Sequence, residues 1–211
     1  MRLRKIKDAG LKLREYSDYV VFDPALNFGR WHNVFANSNP IFLEIGMGKG
    51  KFIIQQALNY QNINYIGCEV EESIVLRAAR KIPQERINNL KLIICNALDL
   101  DKIFSKDEIM KIFLNFSDPW PKNRHERRRL TAPEYLGIYQ QILCENGEIE
   151  IKTDKRHFFE YSLLQFNSNQ FEFIDVSLDL HNDKRENIVT TEYEEKFLAE
   201  GKKIYYLKVK K

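Results

Sequence analysis

Four polar side chains, Glu44, Glu69, Asn96 and Asp118, each stand at or just beyond the end of a short apolar run. The first run, IFLEI (Ile41 to Ile45), opens into GMGKGKF, which places Gly46, Gly48 and Gly50 at alternate positions. Glycines there permit positive backbone angles and let a ligand approach the main chain closely. The dinucleotide fingerprint G-x-G-x-x-G needs glycine where this chain has Lys51, which disfavours a pyrophosphate site and with it a nicotinamide dehydrogenase. Glu69 follows about twenty residues past the loop, where a carboxylate can accept both hydroxyls of a ribose. Asn96 offers a two-sided amide to a base edge. Together these run ends outline an adenosine-shaped pocket. Each residue also has a plain structural reading: Glu44 capping loop amides, Glu69 offsetting a helix dipole, Asn96 shaping a turn.

The fourth run, KIFLNF (Lys111 to Phe116), ends in SDPWPKNRHERRRL. Asp118 is followed by a Pro-Trp-Pro corner and then by five cations, Lys122, Arg124, Arg127, Arg128 and Arg129, within eight residues. Asp-Pro commonly opens a turn, and Trp120 between two prolines could simply pack the corner. Cation clusters are usually solvated surface, but this one would hold a polyanion beside an acid at a strand end. The first fourteen residues add a second basic stretch with six cations and one acid, a candidate electrostatic arm. Further along, Asp154 precedes KRHFFEYSLLQF as a helix N-cap would, and Thr191 with Glu194 has the spacing of a capping box. A helix N-terminus on a cleft rim can serve capping and binding together.

The elements that must position these residues follow from the hydrophobic pattern. IFLEI, NYIGCEV (Asn64 to Val70) and LKLIIC (Leu90 to Cys95) alternate with amphipathic stretches as in a parallel sheet with helices on both faces. TAPEYLGIYQQILCENG is expected as a helix with Thr131 and Glu134 in a capping box and Gly147 beyond its end. GEIEIKTD follows as a fifth strand. FEFIDVSLD and KIYYLKVK alternate more clearly, as strands near an edge do, one of them a candidate for antiparallel pairing.

With 211 residues and 44% hydrophobic composition the chain is expected to form one domain, with residues 1–28 as a basic N-terminal extension. The net charge of +3 does not by itself call for a polyanion, so the clustering of the cations matters more than their sum. Three cysteines without CxxC spacing fit a reduced protein and are expected to be buried and inert, and four scattered histidines give no zinc spacing, so no metal is expected. No apolar run is long enough to span a membrane and the opening stretch lacks the apolar segment of a secretory signal, so a cytoplasmic location is expected.

LEIGMGKG, the acid at Glu69 and Asn96 resemble the cofactor motifs of class I S-adenosylmethionine-dependent methyltransferases. More narrowly, GRWHNVF (Gly29 to Phe35), SDPWPKNRHERRRL, KTDKRHFFEY and TEYEEKFLAEGKKIYYL resemble the bacterial tRNA (guanine-7-)-methyltransferase family. The resemblance implies a doubly wound, mostly parallel seven-stranded sheet of the Rossmann-like type. It implies S-adenosylmethionine contacts at Glu44, Glu69, Asn96 and Asp118, with Gly46 and Gly48 in the loop. It also implies tRNA contacts at Lys122, Asp154 and the stretch Thr191, Glu192, Tyr193 and Glu194, with Asp118 in the catalytic position and a variable-loop guanine as target. Two rivals remain open. Related enzymes that methylate exocyclic amino groups carry an Asn/Asp-Pro-Pro-aromatic motif, whereas DPWP has the aromatic and second proline in the other order. An RNA-binding protein on the same fold without turnover is disfavoured by the intact acids around the glycine loop. Oligomeric state is left open.

Overall fold

A computed structural model of the chain describes residues 4–85, 87–183 and 188–211, so residues 1–3 of the basic opening stretch lie outside it. Among the described residues eight strands form one sheet: β1 (Val20–Val21), β2 (Ile41–Ile45), β3 (Asn64–Glu69), β4 (Leu90–Ile94), β5 (Ile109–Asn115), β6 (Leu143–Thr153), β7 (Glu172–Ser177) and β8 (Tyr205–Lys210). Their spatial order is β1-β4-β3-β2-β5-β6-β8-β7. Pairing is parallel from β1 through β6, and β8 runs antiparallel to both β6 and β7. The expected count of seven is corrected to eight by β1, which adds Val20 and Val21 to the outer side of β4 and is too short to leave a strand-like pattern in the sequence.

The helices are α1 (Ala9–Leu13), α2 (Trp31–Phe35), α3 (Lys51–Asn59), α4 (Glu72–Ala79), α5 (Ile82–Glu85), α6 (Leu100–Ile103), α7 (Pro133–Ile142), α8 (Arg156–Ser168) and α9 (Glu192–Ala199). Because side chains alternate across a strand, neighbouring residues supply two cores. Ile66, Ile112 and Leu114 pack on one face with Trp31, Tyr139 and Phe158, while Tyr65, Leu92 and Phe113 pack on the other with Phe52, Ile53 and Leu76. The opening stretch joins the second core through Leu13 and Val20, both almost fully buried and each contributing about 1.5–3 kcal/mol.

Three local expectations change. Thr131 does not cap α7: Ala132 is the N-cap with Pro133 fixing the first turn, and the buried Thr131 hydroxyl bonds Ser162 Oγ at 2.9 Å, joining α7 to α8. Gly147 is no helix stop, since α7 runs directly into β6. Gly147 sits in a bulge where an added Cβ would come within 2.9 Å of the Cys144 carbonyl. Of the cysteines, Cys68 is buried, but Cys95 and Cys144 are half-buried because β4 ends at an open crevice and Cys144 lies in that bulge. No helix among the described residues is long and apolar enough to cross a membrane.

Candidate active site

From β2 the chain builds outward through β3 and β4, then returns to the other side of β2 at β5. At such a switch point, beyond the strand C-termini, open α/β sheets bind ligands. A cavity of about 520 Å³ opens there, lined by Gly46, Gly48, Glu69, Asn96, Asp118 and Tyr193 among others.

On its inner side Glu44 is only 2% exposed. Its Oε1 accepts a 2.9 Å hydrogen bond from Asn115 Nδ2 across the β2–β5 boundary, and its Oε2 has no hydrogen-bond partner among the described residues. Burial pushes this carboxyl up to about 8. Gly46 and Gly48 hold φ of 74° and 56°, and a Cβ at either would meet nothing within 4 Å, so the loop presents bare backbone to open space. Glu69 ties that loop to β3: its Oε2 accepts from Gly48 N at 3.3 Å and its Oε1 from Val70 N at 2.8 Å. Burial raises its carboxyl above the usual value. Asn96 fulfils its turn reading and lines the cavity as well, its Oδ1 accepting from Leu98 N at 3.0 Å to cap the short 3-10 turn Ala97–Asp99.

Asp118 is exposed on the cavity rim, just past β5. Flanking it, Phe116 and Trp120 hold φ of 51° and 40°, left-handed conformations that cost a bulky side chain of order 1–3 kcal/mol and persist only where surroundings over-determine them. Four of the five corner cations, Lys122, Arg124, Arg127 and Arg128, are exposed, carried by or next to a 3-10 helix (Asn123–Arg128). Arg128 lies 5.0 Å over the Trp120 ring. Arg129 departs from the expected strip and is corrected: it is 5% exposed, and its guanidinium donates to the carbonyls of Pro119 at 3.1 Å and Trp120 at 3.0 Å. A buried fork bonded to two carbonyls is not offered to a phosphate.

The opposite wall comes from α9. Its capping box forms as expected, with Glu194 N donating to Thr191 Oγ1 at 2.9 Å and Thr191 N to Glu194 Oε2 at 3.2 Å. The Glu194 carboxylate is corrected as a substrate contact, because it is fully buried against Lys152 Nζ at 3.1 Å and His181 Nε2 at 2.7 Å. Tyr193, 57% exposed, stacks on Phe197, which in turn meets Phe116, making an aromatic wall. Glu192 grips Lys49 at 2.7 Å and Lys81 at 3.2 Å, and Glu195 pairs with Lys51. Asp154 lines the cavity but does not cap α8, whose N-cap is Lys155. The Asp154 side chain, 5% exposed, holds Lys155 Nζ at 2.6 Å. Asn115, Lys152, Phe116, Phe197 and Lys81 have no signal in the sequence that separates them from ordinary core or surface. Lys49 and Lys51 do have one, as cations within and just after a glycine loop at a strand end.

A family model described as "Putative methyltransferase" matches residues 38–207. A tRNA (guanine-N(7)-)-methyltransferase of Alkaliphilus oremlandii (strain OhILAs) is 51% identical over 205 residues, 97% of each chain. One of the same name from Geobacillus sp. (strain WCH70) is 49% identical over 210 residues, spanning 100% of this chain and 96% of the relative. Among solved structures, the 16S rRNA methyltransferase KamB superposes with a TM-score of 0.66 at 12% identity, over 86% of this chain and 92% of its own, which speaks to the fold alone. With about half its residues shared along its entire length, and the sheet, glycine loop and acidic rim already in place, the chain belongs to the family of bacterial tRNA (guanine-N(7)-)-methyltransferases.

Proposed function

We propose that the protein transfers a methyl group from S-adenosylmethionine to nitrogen 7 of a guanine in tRNA, with a variable-loop guanine as the target. One observation carries the reading: the glycine cradle and Asp118 line a single cavity whose rim bears exposed cations.

The chain's residues fit the cofactor. The unpartnered Glu44 Oε2 suits an ammonium, Glu69 a ribose diol, and the open backbone at Gly46 and Gly48 leaves room for the body of the ligand. Asn96 stands where it can meet the base edge, and Asp118 borders the same space. Bound there, S-adenosylmethionine would supply an electrophilic methyl group on a sulfonium.

Guanine nitrogen 7 carries an in-plane lone pair and no hydrogen, so no proton has to be removed before transfer. The ring becomes cationic, and the Asp118 carboxylate stabilises that charge and orients the base. The Tyr193–Phe197–Phe116 wall gives the base a face to stack on, worth about 1–3 kcal/mol. Asp154, Thr191 and Glu192 border the same space. Lys122, Arg124, Arg127 and Arg128 hold the tRNA backbone, which positions the molecule without reading its sequence. In-line alignment supplies up to about 7–11 kcal/mol, against about 3–4 for one well-placed polar group, so positioning outweighs the electrostatic contribution of Asp118.

The test is an assay with methyl-labelled S-adenosylmethionine and unmodified tRNA transcript, followed by nuclease digestion and nucleoside analysis. Label in 7-methylguanosine is the expected result, whereas label in a methylated amino group refutes nitrogen 7 as the acceptor. Asp118→Ala should slow the single-turnover rate by roughly 100–1,000-fold while tRNA affinity stays within about twofold. A variant at the wild-type rate removes Asp118 from the chemistry.

A further inference from the structure

Arg129 is the one cation of the corner that does not face solvent. Its Nε donates to the Pro119 carbonyl at 3.1 Å and the Trp120 carbonyl at 3.3 Å, its Nη2 donates to the Trp120 carbonyl at 3.0 Å, and its guanidinium lies 4.3 Å above the Tyr161 ring. The two carbonyls belong to the residues directly after Asp118. Pro119 and Pro121 have fixed φ, so the turn between them falls on Trp120, which takes its φ of 40° there. The Arg129 amide also bonds the Glu126 carbonyl at 3.0 Å, closing the 3-10 helix. One residue thus fastens both ends of the loop that runs from Asp118 through the exposed cations, its side chain holding the Pro119–Trp120 end and its backbone amide the 3-10 helix.

We propose that Arg129 is a positioning residue for methyl transfer: its guanidinium clamps the Pro119 and Trp120 carbonyls and so fixes the direction in which Asp118 meets the base, without gripping tRNA. The proposal rests on the reading of Asp118 given above. A planar fork with several donors can hold two adjacent carbonyls and stack on Tyr161 together; a lysine ammonium keeps the charge but has neither the fork nor the flat face. Arg129→Lys therefore separates charge from clamp.

The experiment compares wild type, Arg129→Lys, Arg129→Met and Asp118→Ala by single-turnover rate at saturating tRNA, by tRNA affinity across a salt series, and by acrylamide quenching of tryptophan fluorescence. The chain has two tryptophans, and Trp31 is fully buried, so quenching reports on Trp120. Arg129→Lys is expected to lower the rate by about 10–100-fold, to raise quenching, and to leave tRNA affinity within about twofold and its salt slope unchanged. A salt slope lower by about 0.7–0.9 in Arg129→Met with an unchanged saturated rate would mean a phosphate contact and overturn the proposal. So would a wild-type rate in Arg129→Lys, or a slowed rate with unchanged quenching. Should Arg129→Met fail to fold, Arg129→Lys carries the comparison, since it keeps the charge and most of the aliphatic stem. If Asp118→Ala keeps the wild-type rate, the reading of Asp118 has failed, and the clamp stands or falls on the quenching of the Arg129 variants.

Discussion

At the scale of single residues, Glu44 makes the sharpest demand. Burial holds its carboxyl at about 8 against an ordinary 4.5, so in the free protein at neutral pH it is mostly protonated. A ligand ammonium placed against Oε2 favours the ionised form, and binding must then expel the proton. Calorimetry with S-adenosylhomocysteine at about pH 7, in buffers of different ionisation enthalpy, should count close to one proton released per ligand. Glu44→Gln should release none and bind more weakly. An equal proton count in both proteins would separate Glu44 from the ammonium. The same shift governs stability, since the folded value lies above the unfolded one. The protonated carboxyl's contribution is fully present below about pH 4.5 and is lost as pH rises through about 8. Ligand-free Glu44→Gln should therefore melt near the wild type at about pH 5 and above it at about pH 9, by about 2–4 °C for each kcal/mol recovered. A variant that melts lower at about pH 9 would show that the carboxylate is well accommodated there.

At the scale of elements, the glycine loop and α9 are fastened together although about 140 residues of chain separate them. Burial works against the charge of Glu192, but hydrogen bonds from Lys49 and Lys81 outweigh it and hold its carboxyl below the usual value. Lys81 also donates to the Lys49 carbonyl at 2.9 Å, so a single ammonium touches the loop backbone and the helix N-terminus. These side chains are about two-fifths exposed, and each pair is worth only about 0.2–1 kcal/mol. Lys81→Met should accordingly speed amide exchange in α9 by a few-fold rather than unfold it, and a Glu192→Gln cycle should show the two changes to be non-additive. Additive effects would mean that the pairs do not hold α9 to the loop. This contact marks where sequence reading stops. The glycine spacing, Glu69, Asn96 and the corner after β5 were legible because each lies within a few residues of the apolar run that positions it. The Thr191–Glu194 box was legible because capping is local. That Glu194 turns inward to Lys152 and that Glu192 meets Lys49 depend on which elements become neighbours, and that Arg129 is buried depends on how the corner folds back on itself; periodicity encodes neither. β1 escaped for the opposite reason: two residues are too few to show a period.

At the scale of the molecule, a net charge of +3 conceals an uneven distribution. On the surface of β5, β6 and β8 cations are matched, with Lys111 bonded to Glu148 at 2.7 Å and Glu150 at 2.8 Å, and Lys208 to Glu148 at 2.7 Å. In the opening stretch Lys5 meets Glu71, and Lys12 bonds the Lys7 carbonyl, so part of that basic segment is held against the fold. The corner after Asp118 is different: Lys122, Arg124, Arg127 and Arg128 are exposed beside the cavity and have no ion-pair partner among the described residues, so their field acts on an arriving polyanion. If each holds one phosphate, neutralising Arg124, Arg127 and Arg128 together should flatten the dependence of log affinity on log salt by about two to three. Replacing Lys208 and Lys210, already paired on the sheet surface, should leave the slope nearly unchanged. Equal slopes for both triple and double variants would return the corner to ordinary solvated surface. A loss confined to the corner variant would place the tRNA backbone within reach of Asp118, where an otherwise modest overall charge does its work.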